Sequence, residues 1–264
     1  MSLIHPSAIV EKGAQISQGV KIGAYVFISK DSTLKDGVEI MQGAQIYGKT
    51  IVGENTKIYP YAIVGMPPQD LGYVPEDDVS VEIGKNCVLR EFVTVNAGTK
   101  SGGGITKIGD DCFIMISCHI AHDCKVGDKV IMANNAVLAG HVHVGSFTVI
   151  GGQTPIHQFV HVGEGVMIGG ASAISQDIPP YCLAEGNRAV VRGLNVVGIK
   201  RRFSREDASA LHSAYKVLFR SSKPIKESAT ILTQETNNEK VLNLCNFILE
   251  SKRGIPFERK NDGD

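Results

Sequence analysis

The sequence contains no tryptophan, has only 6% aromatic residues, and carries no excess of either charge. Lysine plus arginine and aspartate plus glutamate both total 27, so the average field gives no general attraction for nucleic acid or an anionic membrane. No stretch approaches 18 apolar residues, which argues against a membrane span, and the start Met-Ser-Leu-Ile-His does not resemble a signal peptide. We therefore expect a cytoplasmic protein that binds no nucleic acid and does not insert into a membrane.

Cysteine is present but shows no pairing pattern. The six cysteines are scattered along the chain, and no two of them form a C-x-x-C pair. In a mid-sized chain without a secretion signal, reduced thiols are expected rather than disulfides. Cys118 and Cys124 flank two histidines, but no second cysteine pair lies nearby, so the pattern does not favour a structural zinc site.

Aliphatic residues recur at every sixth position through most of the first two thirds of the chain. Neither an amphipathic helix nor a half-buried strand has this period, whereas a coil of short parallel strands joined by tight corners does. Three hexads form one triangular coil, so residues 18 apart stack at about 4.8 Å. The repeat positions are Ile4, Val10, Ile16, Ile22, Ile28, Leu34, Ile40, Ile46, Val52, Ile58, Val64, then Ile83, Leu89, Val95, then Ile108, Ile114, Ile120, Val126, Met132, Leu138, Val144, Ile150, Ile156, Val162, Ile168 and Ile174.

Two interruptions break this repeat, from Val64 to Ile83 and from Val95 to Ile108. A coil can eject a loop at a corner without disturbing its stack, so loops are predicted near 66–80 and 100–106. Loops on a rigid scaffold are frequent places for ligand contacts, although a tolerated surface insertion gives the same spacing. The repeat domain is predicted to span residues 1–186.

A small helical domain is predicted for residues 187–264, because two prolines near 180 cannot join a strand ladder. Ser204 is placed to cap a helix with Asp207 three residues later, and Pro224 fits the first turn of a second helix. Apolar residues between 241 and 249 mark a third helix that ends before Gly254. The polar end after Arg259 is predicted to lie outside the packed domain.

The stretch CHIAHDC, residues 118–124, carries the clearest chemistry. The repeat places His122, Gly140 and Gln158 on one edge of the prism, 18 residues apart and outside the inward aliphatic position. An imidazole, which titrates near pH 6.5, suits a general base for a hydroxyl or an amine. Gly140 can offer a bare backbone N–H to a developing oxyanion. Neighbouring side chains on extended chain point apart, so either Asp123 or a backbone carbonyl is expected to orient the base.

The same histidines leave two other interpretations open. Some trimeric β-helices bind zinc through three histidines shared across a subunit interface, as β-helical carbonic anhydrases do, and His119, His122, His141 and His157 lie close in sequence. Histidines that are merely solvated or in a subunit contact are the second alternative. Gly140, Gln158 and Asp123 form a better set for acyl transfer than for metal ligation, so direct acyl transfer without a metal is favoured.

The motifs HIAHDC, NNAVLAGHV, IGGQTPIHQFV, DIPPYCLAEGNRA and KRRFSRE together resemble the bacterial UDP-N-acetylglucosamine acyltransferases over nearly the whole chain. The resemblance implies a mainly β fold, a left-handed parallel β-helix of hexapeptide repeats followed by a small C-terminal helical domain. It implies transfer of an (R)-3-hydroxyacyl group from acyl carrier protein to the 3-position of UDP-N-acetylglucosamine, the first step of lipid A biosynthesis, with no cofactor. Family roles fall on His122 as base, Asp123 beside it and Gly140 as oxyanion donor; substrate contacts fall on Asp70, His119, His141, His157, Gln158, Asn195, Arg201 and Arg202.

The resemblance also implies a homotrimer with its active sites between subunits. Acyl carrier proteins are acidic, so Arg201, Arg202 and Arg205 are expected to attract this partner. The position that limits acyl length falls on Gly170, after Met167, and glycine leaves room for about 12 to 14 carbons.

Three positions depart from the common family pattern, and all three surround the expected acceptor. Gly72 stands where many members have lysine, Asn96 where some have histidine, and Val197 where an acidic residue is usual. Some bacteria acylate a 3-amino analogue of UDP-N-acetylglucosamine, and an amine is the stronger nucleophile. Amide formation on that analogue is therefore an alternative reaction.

Overall fold

The structure is a computed structural model that describes residues 3–258. Within this range the repeat region forms very short strands, most of them two residues long, in which the second residue is the aliphatic member of the hexad and, from β4 onward, is buried. The strands in chain order are β1 (Leu3–Ile4), β2 (Ile9–Val10), β3 (Gln15–Ile16), β4 (Lys21–Ile22), β5 (Phe27–Ile28), β6 (Thr33–Leu34), β7 (Glu39–Ile40), β8 (Gln45–Ile46), β9 (Lys49–Val52), β10 (Lys57–Ile58), β11 (Ile63–Met66), β12 (Ser80–Ile83), β13 (Val88–Leu89), β14 (Thr94–Asn96), β15 (Ile105–Ile108), β16 (Phe113–Ile114), β17 (His119–Ile120), β18 (Lys125–Val126), β19 (Ile131–Met132), β20 (Val137–Leu138), β21 (His143–Val144), β22 (Val149–Ile150), β23 (Pro155–Ile156), β24 (His161–Val162), β25 (Met167–Ile168), β26 (Cys182–Glu185) and β27 (Val190–Leu194).

Successive strands belong in turn to three parallel sheets, which we call faces A, B and C. Face A begins with β1 and β4, face B with β2 and β5, and face C with β3 and β6, and each continues with every third strand. Strands pair in register across one coil, so that Ile40 aligns with Ile58 and Ile120 with Leu138. The corners are named by the faces they join: AB, BC and CA.

The interior of the prism is a continuous aliphatic column, in which Ile28, Leu34, Ile46, Ile114 and Leu138 are completely buried. All six cysteines are free and buried. Burial raises the pKa of the Cys118 thiol to about 11 and that of the Cys124 thiol to about 12. These thiols are therefore protonated core groups at neutral pH.

Both interruptions of the repeat leave the prism at corner BC. The first runs through residues 67–79, between β11 and β12, and the second through 97–104, between β14 and β15. The second contains a short 3-10 turn, Lys100–Gly102. Corner BC is therefore flanked by both of the loops that interrupt the repeat within residues 3–258.

Residues beyond the repeat first extend face A and then form helices. Strand β26 pairs in parallel with β25, and β27 pairs antiparallel with β26, so face A continues to Leu194, past the boundary predicted at 186. Helices follow at α1 (Val196–Arg202), α2 (Arg205–Arg220), α3 (Ile225–Glu235) and α4 (Glu239–Glu250).

Helix α2 begins as expected, because the Ser204 hydroxyl accepts the Asp207 amide at 3.0 Å. Pro224 lies one residue before α3, and the predicted third helix corresponds to α4. The short α1 was not expected from the sequence. The predicted polar end after Arg259 lies outside the described residues. No helix in the described chain is long and apolar enough to span a membrane.

Candidate active site

Corner BC carries a column of polar and aromatic side chains on three consecutive coils. Each coil turns through a non-glycine residue with positive φ: Asp123 at 58°, His141 at 60° and Phe159 at 64°. This left-handed conformation is uncommon outside glycine, asparagine and aspartate. The structure brings His122, Asp123, Gly140, His141, His157 and Gln158 to this corner.

His122 and Asp123 form a hydrogen-bonded pair, with Nδ1 of His122 2.8 Å from Oδ2 of Asp123. The expectation that adjacent side chains point apart is wrong here, because Asp123 is not extended and its positive φ turns the carboxylate back toward the imidazole. A carboxylate can only accept, so Nδ1 carries the proton. The Nε2 atom of His122 is therefore the atom with a free lone pair.

The Asp123 carboxylate is shielded from solvent, with 1% of its side chain exposed. The second loop covers it: the Thr99 amide donates to Oδ1 at 2.9 Å and the Thr99 hydroxyl to Oδ2 at 2.6 Å. From the other side, the hydroxyl of Thr106 accepts the Asp123 amide at 2.9 Å. Neither Thr99 nor Thr106 was predicted from the sequence, although the interruption after Val95 places both residues on the coil before His122.

Gly140 lies directly beneath the imidazole. A Cβ built on Gly140 would lie 2.6 Å from His122 Nε2 and 2.5 Å from Cε1, so only glycine permits this approach. Among the hydrogen bonds of residues 3–258, none uses the Gly140 amide as donor. The amide is thus available to a ligand next to the Nε2 atom.

Two further predicted histidines lie near His122, and His141 contacts it directly. His141 stacks on Phe159 with ring centroids 4.4 Å apart and meets His122 edge-on at 5.1 Å. His119 lies on the outer side of face B, where its Nδ1 is 2.7 Å from the Thr94 hydroxyl. Burial lowers the pKa of His119, and the charge at His122 lowers it further, so His119 is neutral at physiological pH.

His122, Asp123 and His141 could hold a metal ion, because their ligand atoms lie within 4.8 Å of one another. Two of those atoms already form the hydrogen bond between His122 and Asp123, and Asp123 Oδ2 also accepts the Thr99 hydroxyl. These hydrogen bonds are enough to explain why the three side chains lie so close together. Absence of a metal cofactor stays a prediction.

The first loop carries Asp70, which is exposed and accepts the Gly72 amide at 2.6 Å. Asn96 lies at the base of this loop and donates to the Pro67 carbonyl at 3.0 Å. The Oδ1 atom of Asn96 is buried and has no partner among the described residues. Asn96 therefore fixes the start of the loop that presents Asp70.

Three of the predicted substrate contacts, Asn195, Arg201 and Arg202, lie elsewhere in the chain, near corner CA. Arg202 forms an ion pair with Glu164 and lies over the Phe147 ring, 3.8 Å from its centroid. Asn195 caps α1 by accepting the Gly198 amide at 3.0 Å. Arg201 is exposed on the same helix. Within one chain these residues do not share a corner with His122.

An apolar stripe runs along the outer side of face A, formed by Val88, Phe113, Ile131, Val149 and Met167 in register. All five are partly exposed. Gly170 lies on the same coil as Met167, after the end of β25, and a Cβ there would make only ordinary contacts, the nearest at 3.5 Å to the Gly152 carbonyl. The stripe is apolar and extended enough to accept a hydrocarbon chain, and the role of Gly170 in limiting chain length stays a prediction.

Two histidines outside corner BC stack on face C. His143 and His161 are in register on β21 and β24, with ring centroids 4.5 Å apart. Burial lowers the pKa of His143 to about 4, and charges at His161 and Lys125 act in the same direction. His143 is therefore neutral over the physiological range.

Comparisons with known proteins identify the family of the chain. A family model described as UDP N-acetylglucosamine O-acyltransferase, domain 2, matches residues 177–256, and one described as bacterial transferase hexapeptide matches residues 105–140. The acyl-[acyl-carrier-protein]–UDP-N-acetylglucosamine O-acyltransferase of Campylobacter concisus is 53% identical and covers 99% of this chain and 100% of its own. That of Campylobacter curvus is 55% identical with the same coverage.

Solved structures give the same result. A structure of UDP-N-acetylglucosamine acyltransferase from Campylobacter jejuni superposes with a TM-score of 0.94 at 55% identity, covering 97% of this chain and 100% of that one. The enzyme from Francisella novicida also gives a TM-score of 0.94, at 33% identity. The predicted left-handed parallel β-helix with a C-terminal helical domain and the predicted acyltransferase activity are confirmed. The chain belongs to the UDP-N-acetylglucosamine O-acyltransferase family.

Proposed function

We propose that this protein transfers an (R)-3-hydroxyacyl group from acyl carrier protein to the 3-hydroxyl of UDP-N-acetylglucosamine, in the cytoplasm and without a metal or other cofactor. The observation that carries the mechanism is the His122 Nε2 atom, held by the buried Asp123 and next to the free amide of Gly140. Base and oxyanion donor thus lie side by side, as direct acyl transfer requires.

The reaction follows from this arrangement. His122 Nε2 removes the proton of the acceptor hydroxyl as the oxygen attacks the thioester carbonyl. The negative charge that develops on the carbonyl oxygen is stabilised by the Gly140 N–H. Collapse of the tetrahedral intermediate breaks the C–S bond, and the imidazolium returns its proton to the thiolate of the carrier protein. The transfer is direct, and Cys118 and Cys124 cannot serve as nucleophiles, because their thiols are buried and contact the carbonyls of Ala133 and Ala139.

Replacement of His122 by alanine tests the base. We expect kcat to fall by about 10² to 10⁴ with unchanged thermal stability. A variant that transfers acyl groups at the wild-type rate would rule out His122 as the base.

We further propose that the working enzyme is a homotrimer whose sites form between copies. In a triangular coil, the stripe on face A lies opposite corner BC, and Arg201 and Arg202 lie near corner CA. One substrate cannot contact all three regions of one chain. A second copy must supply the acyl stripe and the arginines to the His122 of the first.

Mixed oligomers test this arrangement. His122→Ala and Arg201→Ala should each be inactive alone, whereas co-refolding the two should restore part of the activity, because some sites receive a wild-type residue from each copy. Failure to recover any activity from a verified mixed oligomer would place both residues in a site within one chain.

The acceptor is tested separately by offering one pool of acyl carrier protein, loaded with hydroxyacyl chains of several lengths, to UDP-N-acetylglucosamine and its 3-amino analogue. Product masses identify the acceptor and the chain length together. The proposal expects the ester product; a predominant amide product would establish the alternative reaction. Raising salt should slow transfer from the acidic carrier protein if Arg201, Arg202 and Arg205 attract it.

A further inference from the structure

The loop formed by residues 97–104 is folded inward against Asp123. Thr99 is 4% exposed, and both its amide and its hydroxyl donate to the carboxylate. The same hydroxyl oxygen accepts the Gly102 amide at 3.0 Å, which closes the 3-10 turn. Thr99 therefore links the turn of the loop to the Asp123 carboxylate through one hydroxyl group.

Gly102 completes this contact. A Cβ at Gly102 would overlap the Asp123 carboxylate, so the loop backbone packs directly on the acid. Thr106 holds the Asp123 amide from the start of the next strand. The carboxylate is thus fixed by three donors: the Thr99 amide, the Thr99 hydroxyl and His122 Nδ1.

We infer that Thr99 is a positioning residue for the transfer reaction, acting through Asp123 on the orientation and basicity of His122. This inference rests on the proposed role of His122 as the base. The effect arises because Thr99 and His122 donate hydrogen bonds to the same carboxylate. Donors from Thr99 share the negative charge of Asp123, so the pull of that charge on a protonated imidazole is weaker. They also hold the carboxylate in the rotamer that meets Nδ1.

Removal of the Thr99 hydroxyl should therefore have two effects. The carboxylate loses its shortest contact, so His122 is held less firmly and kcat falls. The remaining charge is less shared and stabilises the imidazolium more, so the base is protonated over a wider pH range. The acidic limb of the pH profile then moves to higher pH.

The test uses Thr99→Val, which keeps the shape and the backbone amide, and Thr99→Ser, which keeps the hydroxyl. For Thr99→Val we expect kcat to fall about tenfold or more, KM for both substrates to change less than about twofold, and the acidic limb of kcat/KM to move upward by about half a pH unit or more. Thr99→Ser should return kcat to within about threefold of wild type and restore the pH profile.

Thr148→Val is the matched control. The Thr148 hydroxyl is fully buried and donates to the Gly163 carbonyl at 2.8 Å, at corner CA rather than BC. This variant loses a buried hydrogen bond and some thermal stability but should keep the wild-type pH profile. If Thr99→Val shows no shift of the acidic limb and no greater loss of kcat than Thr148→Val, Thr99 is only structural.

His122→Ala, assayed in parallel, separates the inference from the function on which it rests. If His122→Ala is active, both the role of His122 as the base and the inference about Thr99 are refuted. If His122→Ala is inactive, and Thr99→Val shows neither a shifted acidic limb nor a greater loss of kcat than Thr148→Val, the inference alone is removed.

Discussion

Replacement of Gly140 by alanine should disable catalysis while leaving the fold intact. The new Cβ would lie 2.6 Å from His122 Nε2 and 3.2 Å from Nδ1. Carbon and nitrogen atoms in ordinary contact are about 3.5 Å apart, so the imidazole must retreat by about 1 Å. Such a displacement opposes the 2.8 Å hydrogen bond to Asp123. A catalytic group misplaced by this amount costs on the order of 100-fold in rate.

The change does not strain the backbone, because Gly140 is not among the glycines with positive φ. It also keeps the residue 140 N–H, so a loss of activity would report on the position of the base and not on loss of the oxyanion donor. We expect kcat to fall about 100-fold, KM to change little, and the melting temperature to stay near that of the wild type. Steady-state kinetics with acyl carrier protein thioester and thermal unfolding measure these quantities.

Gly193→Ala is the matched control, since a Cβ at Gly193 meets nothing within 4 Å. This variant should retain wild-type kinetics. If Gly140→Ala keeps kcat within about twofold of wild type at normal stability, the close approach of Gly140 to His122 is not needed for transfer and the reasoning fails.

Three further predictions concern the donor, the metal and pH. Gly170→Met should shorten the preferred acyl chain in a competition among loaded carrier proteins, because the side chain fills the space beyond Met167; wild-type selectivity would remove Gly170 as the length limit. Dialysis against a strong chelator should leave kcat unchanged, whereas loss of activity that zinc restores would support the zinc alternative at His122 and His141. The pKa of His143 is lowered from 6.5 to about 4, so the folded state binds fewer protons than the unfolded chain between these values, and the stability present above pH 6.5 is lost as pH falls toward 4. His143→Gln should reduce the loss of unfolding free energy between pH 7.5 and 5 by about 1 kcal/mol, after discounting for partial exposure, as measured by denaturant titration; an unchanged loss would remove His143 as its source.

The fold could be predicted from the sequence because the signal is repeated. Each hexad has an aliphatic residue at the position that faces inward, and more than twenty hexads share this spacing, which fixes the register. Helix α1 could not be predicted in this way, because seven residues with one buried side chain, Ile199, are too few to show a helical period. Residues that continue face A beyond position 186 also lack the six-residue spacing.

The sequence predicts which edge of the prism a residue occupies, but not the backbone conformation that aims its side chain. Spacing placed His122 and Gly140 on one edge. It did not show that Asp123 has positive φ, and that single dihedral brings the carboxylate to the imidazole. Thr99 lies in the irregular second loop, whose path no repeat specifies, so its contact with Asp123 could not be read from the sequence.

A corner of a solenoid is convex and wet, which is a poor place for a buried acid. An ionised carboxylate kept from water needs hydrogen-bond donors in return. Here the second loop supplies them: Thr99 donates twice to Asp123, and the side chain of that acid is 1% exposed while the neighbouring His122 is 13% exposed. The interruption of the repeat is therefore what allows a buried carboxylate to hold a histidine in place at this corner. Deletion of residues 98–104 would restore the six-residue spacing between Val95 and Ile108. The aliphatic core should remain, but Asp123 would be exposed to water and His122 would no longer be held in one orientation.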